Sequence, residues 1–256
     1  MKKGVVLLVF LFCFTLQGQE VPQITTDSLR EAKKNMFKTN LVPLLWGTGS
    51  LSYERKAIGR LVVGATVNYR PESEVPFKKT LQKIVENEDK EEATFNVDQL
   101  KYSNFSLAPE IKIYLGKKGA FNGFYVAAFV KTEKTKLDYS YQFDELLLVG
   151  EDPNFPIKGE VKALSGGLYF GVQWSLGKNL YLDWQIIGGN YGSGTINLTA
   201  HRHLTEDEQM ELQEFAQDLK DSFKNLDYEI NDNGIKVKGK IPWAGLRTGL
   251  SIGYRF

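Results

Sequence analysis

The last thirteen residues of the chain, Ala244–Phe256, alternate between apolar positions and positions that are polar or glycine. Successive residues of a β-strand point to opposite faces of the sheet, so this stretch predicts a strand with one apolar and one polar face. The polar face carries Arg247 and Arg255, and the apolar face ends on Phe256. Segments with the same two-residue period recur through the chain, which predicts an all-β architecture.

The alternating segments number eight, and the connections between them differ in length. The turns at Gly59, Gly116 and Gly177 are short, whereas three of the four opposite connections are long. Each segment is about as long as a tilted membrane-spanning strand, roughly 9–11 residues. We therefore predict an eight-stranded antiparallel transmembrane β-barrel with long outer loops. The predicted strands are 37–46, 50–56, 61–70, 101–115, one from about 121, 161–176, one from 180, and 244–256.

The polar faces of these segments decide between two kinds of barrel. A soluble, lipocalin-like carrier would show water a face rich in Lys and Glu, but these faces are dominated by Gly, Ser, Asn, Gln and Thr, which suit a crowded lumen. Aromatic residues fall near strand ends, as membrane girdles require. The membrane barrel is therefore favoured over the secreted carrier. The predicted outer girdle contains Trp46, Tyr69 and Trp243, and the inner one Phe124, Trp174 and Phe256.

The start of the chain has the pattern of a secretory signal peptide. Lys2 and Lys3 precede the apolar run 5–14, which is too short to span a membrane as a helix. We predict a signal peptide over 1–18, a periplasmic lead-in over 19–36 and the barrel over 37–256. The single cysteine, Cys13, lies in the predicted signal, so no disulfide or thiolate site is expected in the mature chain. The net charge of +1 gives no indication of a nucleic-acid partner.

Two short motifs carry a family resemblance. The segments Lys38–Leu41 and Ser50–Arg55 resemble the start of a small outer-membrane barrel family of Gram-negative bacteria, which is of unknown function and similar to OmpX- and OmpA-type barrels. The resemblance implies an outer-membrane location, with outer-membrane lipid and the barrel assembly machinery as partners. It also implies that the terminal aromatic residues, Tyr254 and Phe256, belong to the assembly signal.

The inward faces of the predicted strands carry charges of both signs. An eight-stranded barrel is just wide enough to be filled by its own side chains, so unpaired charges there would be costly. We therefore predict a lumen charge network with Glu54 as its hub, and a plugged lumen rather than a pore. We predict no cofactor and no metal site. The predicted network contains Lys38, Glu54, Arg70, Glu110, Lys112, Asp183, Arg247 and Arg255.

The longest outer connection contains two further features. Thr205 and Glu208 form a capping box at the start of a helical pattern over 206–226, which predicts an amphipathic helix. His201 and His203 share one face of a strand and could bind a metal or serve as a base. The leading hypothesis is a non-enzymatic barrel whose loops bind a surface protein or glycan or support envelope integrity. The alternative is a lipid-modifying hydrolase or acyltransferase.

Several local irregularities are also predicted. Pro43 and Pro109 interrupt strand patterns, and each predicts a bulge or a strand end. The apolar positions change phase after Lys131, which predicts another bulge. The two histidines and Ser193 fall on the inward parity of the seventh strand. We also predict a short helix over 76–92 and an apolar patch in a loop over 146–149.

Overall fold

A computed structural model describes residues 33–76, 78, 99–142, 154–222 and 225–256 of the chain. The predicted signal peptide, the loop patch 146–149 and almost all of the predicted helix 76–92 lie outside these residues. The described part contains nine strands and two helices. They are β1 (Asn35–Asn40), α1 (Leu41–Leu44), β2 (Gly49–Ile58), β3 (Leu61–Glu74), β4 (Leu100–Tyr114), β5 (Gly123–Gln142), β6 (Asn154–Ser175), β7 (Leu180–His201), α2 (Glu206–Ser222), β8 (Leu226–Asn231) and β9 (Gly234–Arg255).

The strands form one antiparallel sheet that closes on itself. Each strand from β1 to β7 pairs with its neighbour in the chain, and β9 pairs with both β7 and β1. Asn35 and Phe256 exchange backbone hydrogen bonds of 3.0 and 2.9 Å at the closing seam. Eight strands therefore make a barrel, and β8 pairs only with the far part of β9. The predicted all-β antiparallel architecture is confirmed, with β8 as an additional short strand.

The strands differ greatly in length, so the barrel has a tall and a short side. We call the end with Asn35 and Phe256 the lower end and the opposite end the upper end. β6, β7 and β9 have 22 residues each, whereas β1 has six. The predicted loop over 200–241 therefore contains the upper parts of a tall hairpin as well as α2 and β8. Neither helix in the described residues is long and apolar enough to span a membrane.

The first strand is shorter than the sequence predicts. It begins at Asn35 and ends at Asn40, whose side chain accepts a 3.1 Å hydrogen bond from the Val42 amide and caps the helical turn α1. Pro43 lies in that turn, and its carbonyl accepts bonds from the Trp46 and Thr48 amides. A strand through 46 was therefore wrong, because a capped turn containing proline replaces its second half.

In the lower half the outer face is apolar and the inner face is polar. The outer face forms a continuous apolar band around the barrel, in which Leu168 is 62% exposed and Phe124 is 59% exposed. The inner face carries buried polar groups, among them Ser52, Gln173 and Asp183. Phe37, Tyr53 and Phe256 cluster on the outside at the lower rim, with ring centroids 5.2 to 5.4 Å from Phe37.

In the upper half the polarity of the two faces is exchanged. On β6 the outward residues Lys158 and Lys162 are exposed, while the inward residues Ile157 and Val161 are buried. The inward faces of β5, β6, β7 and β9 surround a hydrophobic cluster that α2 and β8 complete. This cluster contains Tyr139, Phe155, Ile157, Ala200, Leu204, Leu212, Ala216, Leu226, Ile235 and Val237.

This exchange explains one wrong prediction. The change of phase after Lys131 predicts a bulge, yet β5 pairs with β6 in continuous register from Gly123 to Gln142. Tyr139 stays on the inward parity of Phe129 and is buried in the upper cluster. The apolar residues change face because the interior becomes apolar, and the backbone does not slip.

The strand end predicted at Pro43 is confirmed by the end of β1 at Asn40, whereas Pro109 and the seventh strand depart from expectation. Pro109 lies inside β4 opposite Ala65, and the register with β5 resumes unchanged at Glu110, so neither a bulge nor a strand end occurs there. β7 instead carries a bulge between Gln185 and Gly188, where its register with both neighbours shifts. That bulge reverses the facing of every later residue of β7.

Candidate functional site: the charged lumen and the cavity above it

Three cations and three anions meet inside the lower half of the barrel. The Lys38 ammonium forms ion pairs with Glu54 and Asp183, and the Lys112 ammonium lies 2.5 Å from Glu54 Oε1. All four side chains are at most 1% exposed. The charges balance, and desolvated ions of this kind are tolerated only when they are paired.

A second pair extends the cluster upward. The Lys112 ammonium is 3.3 Å from Glu110, which also accepts a 2.8 Å hydrogen bond from Arg247 Nη2. The Arg247 guanidinium stacks over the rings of Tyr169 and Phe129, at 4.3 and 4.7 Å from their centroids. Glu110 and Lys112 are two residues apart on β4, so both point into the lumen.

Glycines on neighbouring strands make room for these side chains. A Cβ at Gly64 would lie 2.6 Å from the Tyr53 carbonyl oxygen and 2.9 Å from Glu54 Cγ. A Cβ at Gly253 would lie 2.9 Å from Lys38 Cγ. The glycine-rich polar face of the strands therefore has a packing role, because larger residues would displace Glu54 and Lys38.

Tyrosines form the wall around the cluster. The Lys112 ammonium lies 4.7 Å from the ring centroid of Tyr125 and 5.4 Å from that of Tyr169. The Tyr125 hydroxyl donates a 2.7 Å hydrogen bond to Asp183, and the Tyr114 hydroxyl donates to Gln173. The sequence prediction omitted these tyrosines from the network, although their inward parity is the signal that would have found them.

The two remaining residues of the predicted network lie apart from this cluster. Arg70 lies near the upper end of β3, where it donates to the carbonyls of Trp46 and Glu74 and stacks over Tyr102 at 4.5 Å. Arg255 lies at the lower end, where its Nη1 donates a 3.1 Å hydrogen bond to the Tyr181 hydroxyl. The structure thus brings together six of the eight predicted residues and places the other two at opposite ends.

A polar cavity of about 370 Å³ lies above the charge cluster. Its lining is dominated by neutral amides and hydroxyls, with Arg247 and Lys131 as its cations. Ser52 and Thr66 share a 2.8 Å hydrogen bond in its wall, and Asn68 donates to Ser106.

Glu133 forms the upper border of this polar region. It pairs with Lys131 at 2.8 Å and accepts hydrogen bonds from Asn104 and from the indole nitrogen of Trp243, at 2.8 and 3.0 Å. The prediction that Trp243 belongs to an outer aromatic girdle was therefore wrong. Because β9 keeps one parity along its length, Trp243 points inward like Arg247.

The histidines do not form a site in the described structure. His201 and His203 are both exposed, and among the described residues no group of three or more His, Cys, Asp or Glu side chains could hold a metal ion. The predicted inward facing of His201 was wrong, because the bulge after Gln185 reverses the parity of β7, and His203 lies beyond the end of that strand. Ser193 is exposed outside for the same reason.

The predicted helix and terminal residues occupy defined places. α2 begins at Glu206, with Thr205 and Glu208 bonded reciprocally at 3.3 and 2.8 Å, as a capping box requires. Phe256 stacks on Phe37 at the lower rim, and Tyr254 is half exposed on the same outer face. The assembly role of both aromatic residues stays a prediction.

By sequence, no family model matches the chain, and no curated protein matches it either. Among solved structures, the chain is similar to a major outer membrane protein from Thermus thermophilus, with 14% identity and a TM-score of 0.45, over 88% of this chain and 100% of that one. It is also similar to CarO2 of Acinetobacter baumannii, with 12% identity and a TM-score of 0.40, over 88% and 98%. At these scores the architecture described above rests on the strand ladders of this chain alone.

Proposed function

We propose that this protein is a non-enzymatic outer-membrane β-barrel that holds a folded outer module above the membrane. One observation carries the proposal: the exchange of polarity between the two halves of the same strands. An apolar exterior around a polar, ion-paired interior suits lipid, because the ladders of a barrel pair backbone groups within the sheet and apolar side chains face the acyl chains. A lysine-rich exterior around an apolar core suits water.

The level of the exchange defines the expected membrane surface. On β6 it falls between Lys162 and Leu164, and on β5 between Lys134 and Val130. Lysines directly above an apolar band would contact the anionic head groups of the outer leaflet. Such contacts would support a role in envelope integrity, and the module above them offers a rigid surface for a protein or glycan partner.

The charged lumen supports a scaffold rather than a channel. The cluster around Glu54 and Lys112 fills the lower interior with mutually paired side chains, of which the four closest are at most 1% exposed. An ion passing this level would have to disrupt those pairs. We therefore expect no conductance through the barrel in planar bilayers.

In the part of the chain that the structure describes, Ser193 and His201 do not form the pair that the hydrolase alternative requires. An acyl hydrolase needs a base and a nucleophile within hydrogen-bond distance of each other. Ser193 and His201 are eight residues apart on one strand, which is roughly 26 Å. Replacing both His201 and His203 by alanine should therefore leave the acyl-chain masses of lipid A unchanged in cells that express the protein. A mass shift seen only with the wild type would contradict the non-enzymatic role.

Two spin-labelled variants test the membrane location on one strand. In a Cys13→Ser background, a nitroxide at Leu168→Cys should collide with dissolved oxygen more than with a water-soluble nickel complex. A nitroxide at Lys158→Cys, ten residues higher on the same face, should show the opposite preference. Equal access of the nickel complex to both sites would refute the membrane band, as would identical gel mobility with and without boiling.

A further inference from the structure

The wall of the barrel is incomplete above β1. The ladder between β1 and β9 ends at the pair Asn40 and Ser251. Higher up, β8 covers the same edge of β9 as far as Lys240, whose amide donates to the Asn225 carbonyl. Between these points, residues 241–250 of β9 have no strand partner on that side in the described chain. At about 3.3 Å per residue, this free edge is roughly 30 Å long.

The free edge presents backbone hydrogen-bonding groups. The amides of Lys240 and Phe256 both point to this side, where they meet Asn225 and Asn35. Alternate residues of a strand direct their amides and carbonyls to the same side, so the even-numbered residues between them face the gap. Backbone groups without partners are costly at membrane depth, so an occupant with polar groups would be stabilised there. The residues concerned are Ala244, Leu246, Thr248 and Leu250, together with Pro242, which offers only its carbonyl.

The rim of the gap is apolar. The helical turn α1 packs beside β9 and places Val42 and Pro43 on one side of the opening. Leu246 lies on the other side and, at 87%, is more exposed than any other large apolar residue described. Leu45, just after α1, is 81% exposed. Because this rim lies at the upper level of the apolar band, the opening faces lipid of the outer leaflet.

The polar cavity above the charge cluster reaches this gap. Its lining includes the inward residues Ser52 and Thr66, and also Leu246 and Thr248 on the outer face of β9. A cavity that touches both the interior wall and the outer face of one strand must open past the edge of that strand. The apolar rim and the polar interior are therefore parts of one site.

The chemistry of the interior defines what fits. The cations at its border are already paired, because Arg247 bonds Glu110 and Lys131 bonds Glu133, each at 2.8 Å. The interior therefore offers hydrogen bonds but no spare charge. A polar group without net charge, with several hydroxyl or amide groups, is the complement. The amide side chains that line the cavity are Asn40, Asn68, Asn104, Gln185 and Asn190.

We propose that the gap between α1 and β9 is a lateral entrance from the outer leaflet. It admits an amphipathic molecule whose uncharged, hydroxyl- or amide-bearing end enters the cavity while its hydrocarbon chain stays in the lipid. A strand from a second copy could also pair with the edge of β9. That occupant would leave the polar cavity unfilled, so the amphipathic molecule accounts for more of the structure. This proposal rests on the membrane location proposed above.

Binding can be measured with a fluorophore inside the cavity. A bimane label on Asn68→Cys, in a Cys13→Ser background and in phosphatidylcholine vesicles, reports occupancy, with Thr48→Cys as a second labelling site. We expect 1-oleoylglycerol in the vesicles to shift the emission saturably. Oleate, with the same chain and a charged end, should need at least a tenfold higher mole fraction, and glycerol in the water should produce no shift.

A matched pair of variants tests the route. Thr248→Trp, at the rim of the gap, should raise the half-saturating mole fraction of 1-oleoylglycerol at least tenfold, whereas Ile252→Trp, lower on the same face of β9 and opposite Thr39 in the ladder with β1, should change it less than twofold. An equal effect of the two substitutions, or an equal shift with free glycerol, would overturn the entrance.

A further result would assign the gap to a second copy. A Leu246→Cys disulfide dimer that forms in vesicles and abolishes the emission shift would overturn the proposed ligand in favour of that occupant. The spin-label comparison of Leu168→Cys and Lys158→Cys keeps the two proposals distinguishable. If the label at 168 lies in lipid and 1-oleoylglycerol gives no shift, only the entrance fails. If the label at 168 lies in water, the membrane location fails.

Discussion

The lower and upper halves of this barrel are built by the same strands but have opposite polarity. On β6, Leu168 faces outward and Tyr169 inward in the lower half, whereas Lys158 faces outward and Ile157 inward in the upper half. The two-residue period of the strand is the same in both. The difference teaches that alternation defines which residues share a face, and that the surroundings decide which face is apolar.

The two halves are therefore stabilised by different interactions. The lower interior depends on ion pairs and hydrogen bonds among desolvated groups, such as Lys38 with Asp183. The upper interior depends on the burial of apolar side chains, such as Leu212 and Phe155. A paired ion leaves a buried charge when its partner is removed, whereas a truncated apolar side chain leaves a cavity. The destabilising effects of substitutions in the two halves should consequently differ in magnitude and in how far they extend through the fold.

The largest effect is expected at the centre of the lower half. Glu54→Ala removes the carboxylate that lies between Lys38 and Lys112, and leaves the cluster with one excess positive charge. We expect a loss of about 3–5 kcal/mol in the free energy of unfolding, because the charge is fully desolvated. Denaturant titration of the protein in detergent measures this loss of unfolding free energy.

Glu206→Ala provides the control for this prediction. Glu206 is an exposed residue in the first turn of α2, so its loss should cost about 1 kcal/mol or less. Equal denaturant midpoints for the two variants would show that Glu54 is not the hub of the lower interior.

A somewhat smaller and local effect is expected in the upper half. Leu212 is fully buried between α2 and the sheet, so Leu212→Ala should cost about 3 kcal/mol of the stability of the upper module. Amide hydrogen exchange should accelerate in α2 and β8, while the heat-modifiable gel mobility of the barrel stays unchanged. Loss of that mobility would show that the two halves do not fold as separable units.

The outer faces of the lower and upper halves should also differ in how well they tolerate an added charge. Leu168→Lys places a charge within the apolar band and should cost about 2 kcal/mol when the protein is folded in lipid vesicles. Thr195→Lys, on the exposed outer face of β7 above the band, is the matched control and should be nearly neutral. Equal folding free energies of the two variants would place both sites in water.

Much of the barrel could be predicted because its signals are local. The alternation predicted the strands, and the shared parity of Lys38, Glu54, Lys112 and Asp183 predicted that they point into one lumen. The registers then bring these side chains together, as Gly64 between Glu54 and Glu110 shows. A two-residue period predicts which face of the sheet a side chain lies on. In a narrow barrel, knowing that a side chain faces the lumen is nearly enough to predict which side chains it contacts.

The remaining features of the fold could not be predicted because they depend on tertiary surroundings and local backbone geometry, which the two-residue period does not encode. The bulge after Gln185 is marked only by the adjacent apolar residues Ile186 and Ile187, a signal too short to fix the position of an extra residue, so the predicted facing of His201 was wrong. The change of apolar parity after Lys131 looked like a bulge in β5. It arises instead because the interior becomes apolar above the band, while the two-residue period of the strand continues unchanged. The gap beside β9 depends on the early end of β1, which the cap at Asn40 produces.

The smallest effect concerns a titratable group on the outer face of the upper half. Glu160 lies 2.6 Å from Lys134 and 2.8 Å from Lys162, and hydrogen bonds from these two ammonium groups lower its pKa from 4.5 to about 2. A carboxyl with a depressed pKa in the folded state stabilises the fold above its unfolded pKa. That stability is lost as the pH falls from about 4.5 towards 2.

Because Glu160 is near the solvent, its contribution should be below about 1 kcal/mol and should weaken in salt. We expect the wild type to be slightly more stable than Glu160→Gln at pH 6, by hydrogen exchange of β6 amides in the upper half. The difference should shrink between pH 4.5 and 2 and should also shrink in 1 M NaCl. A difference that stayed constant across this pH range would show that these ammonium groups do not stabilise the charged carboxylate. The upper exterior would then contribute nothing electrostatic to the fold, in contrast to the lower interior.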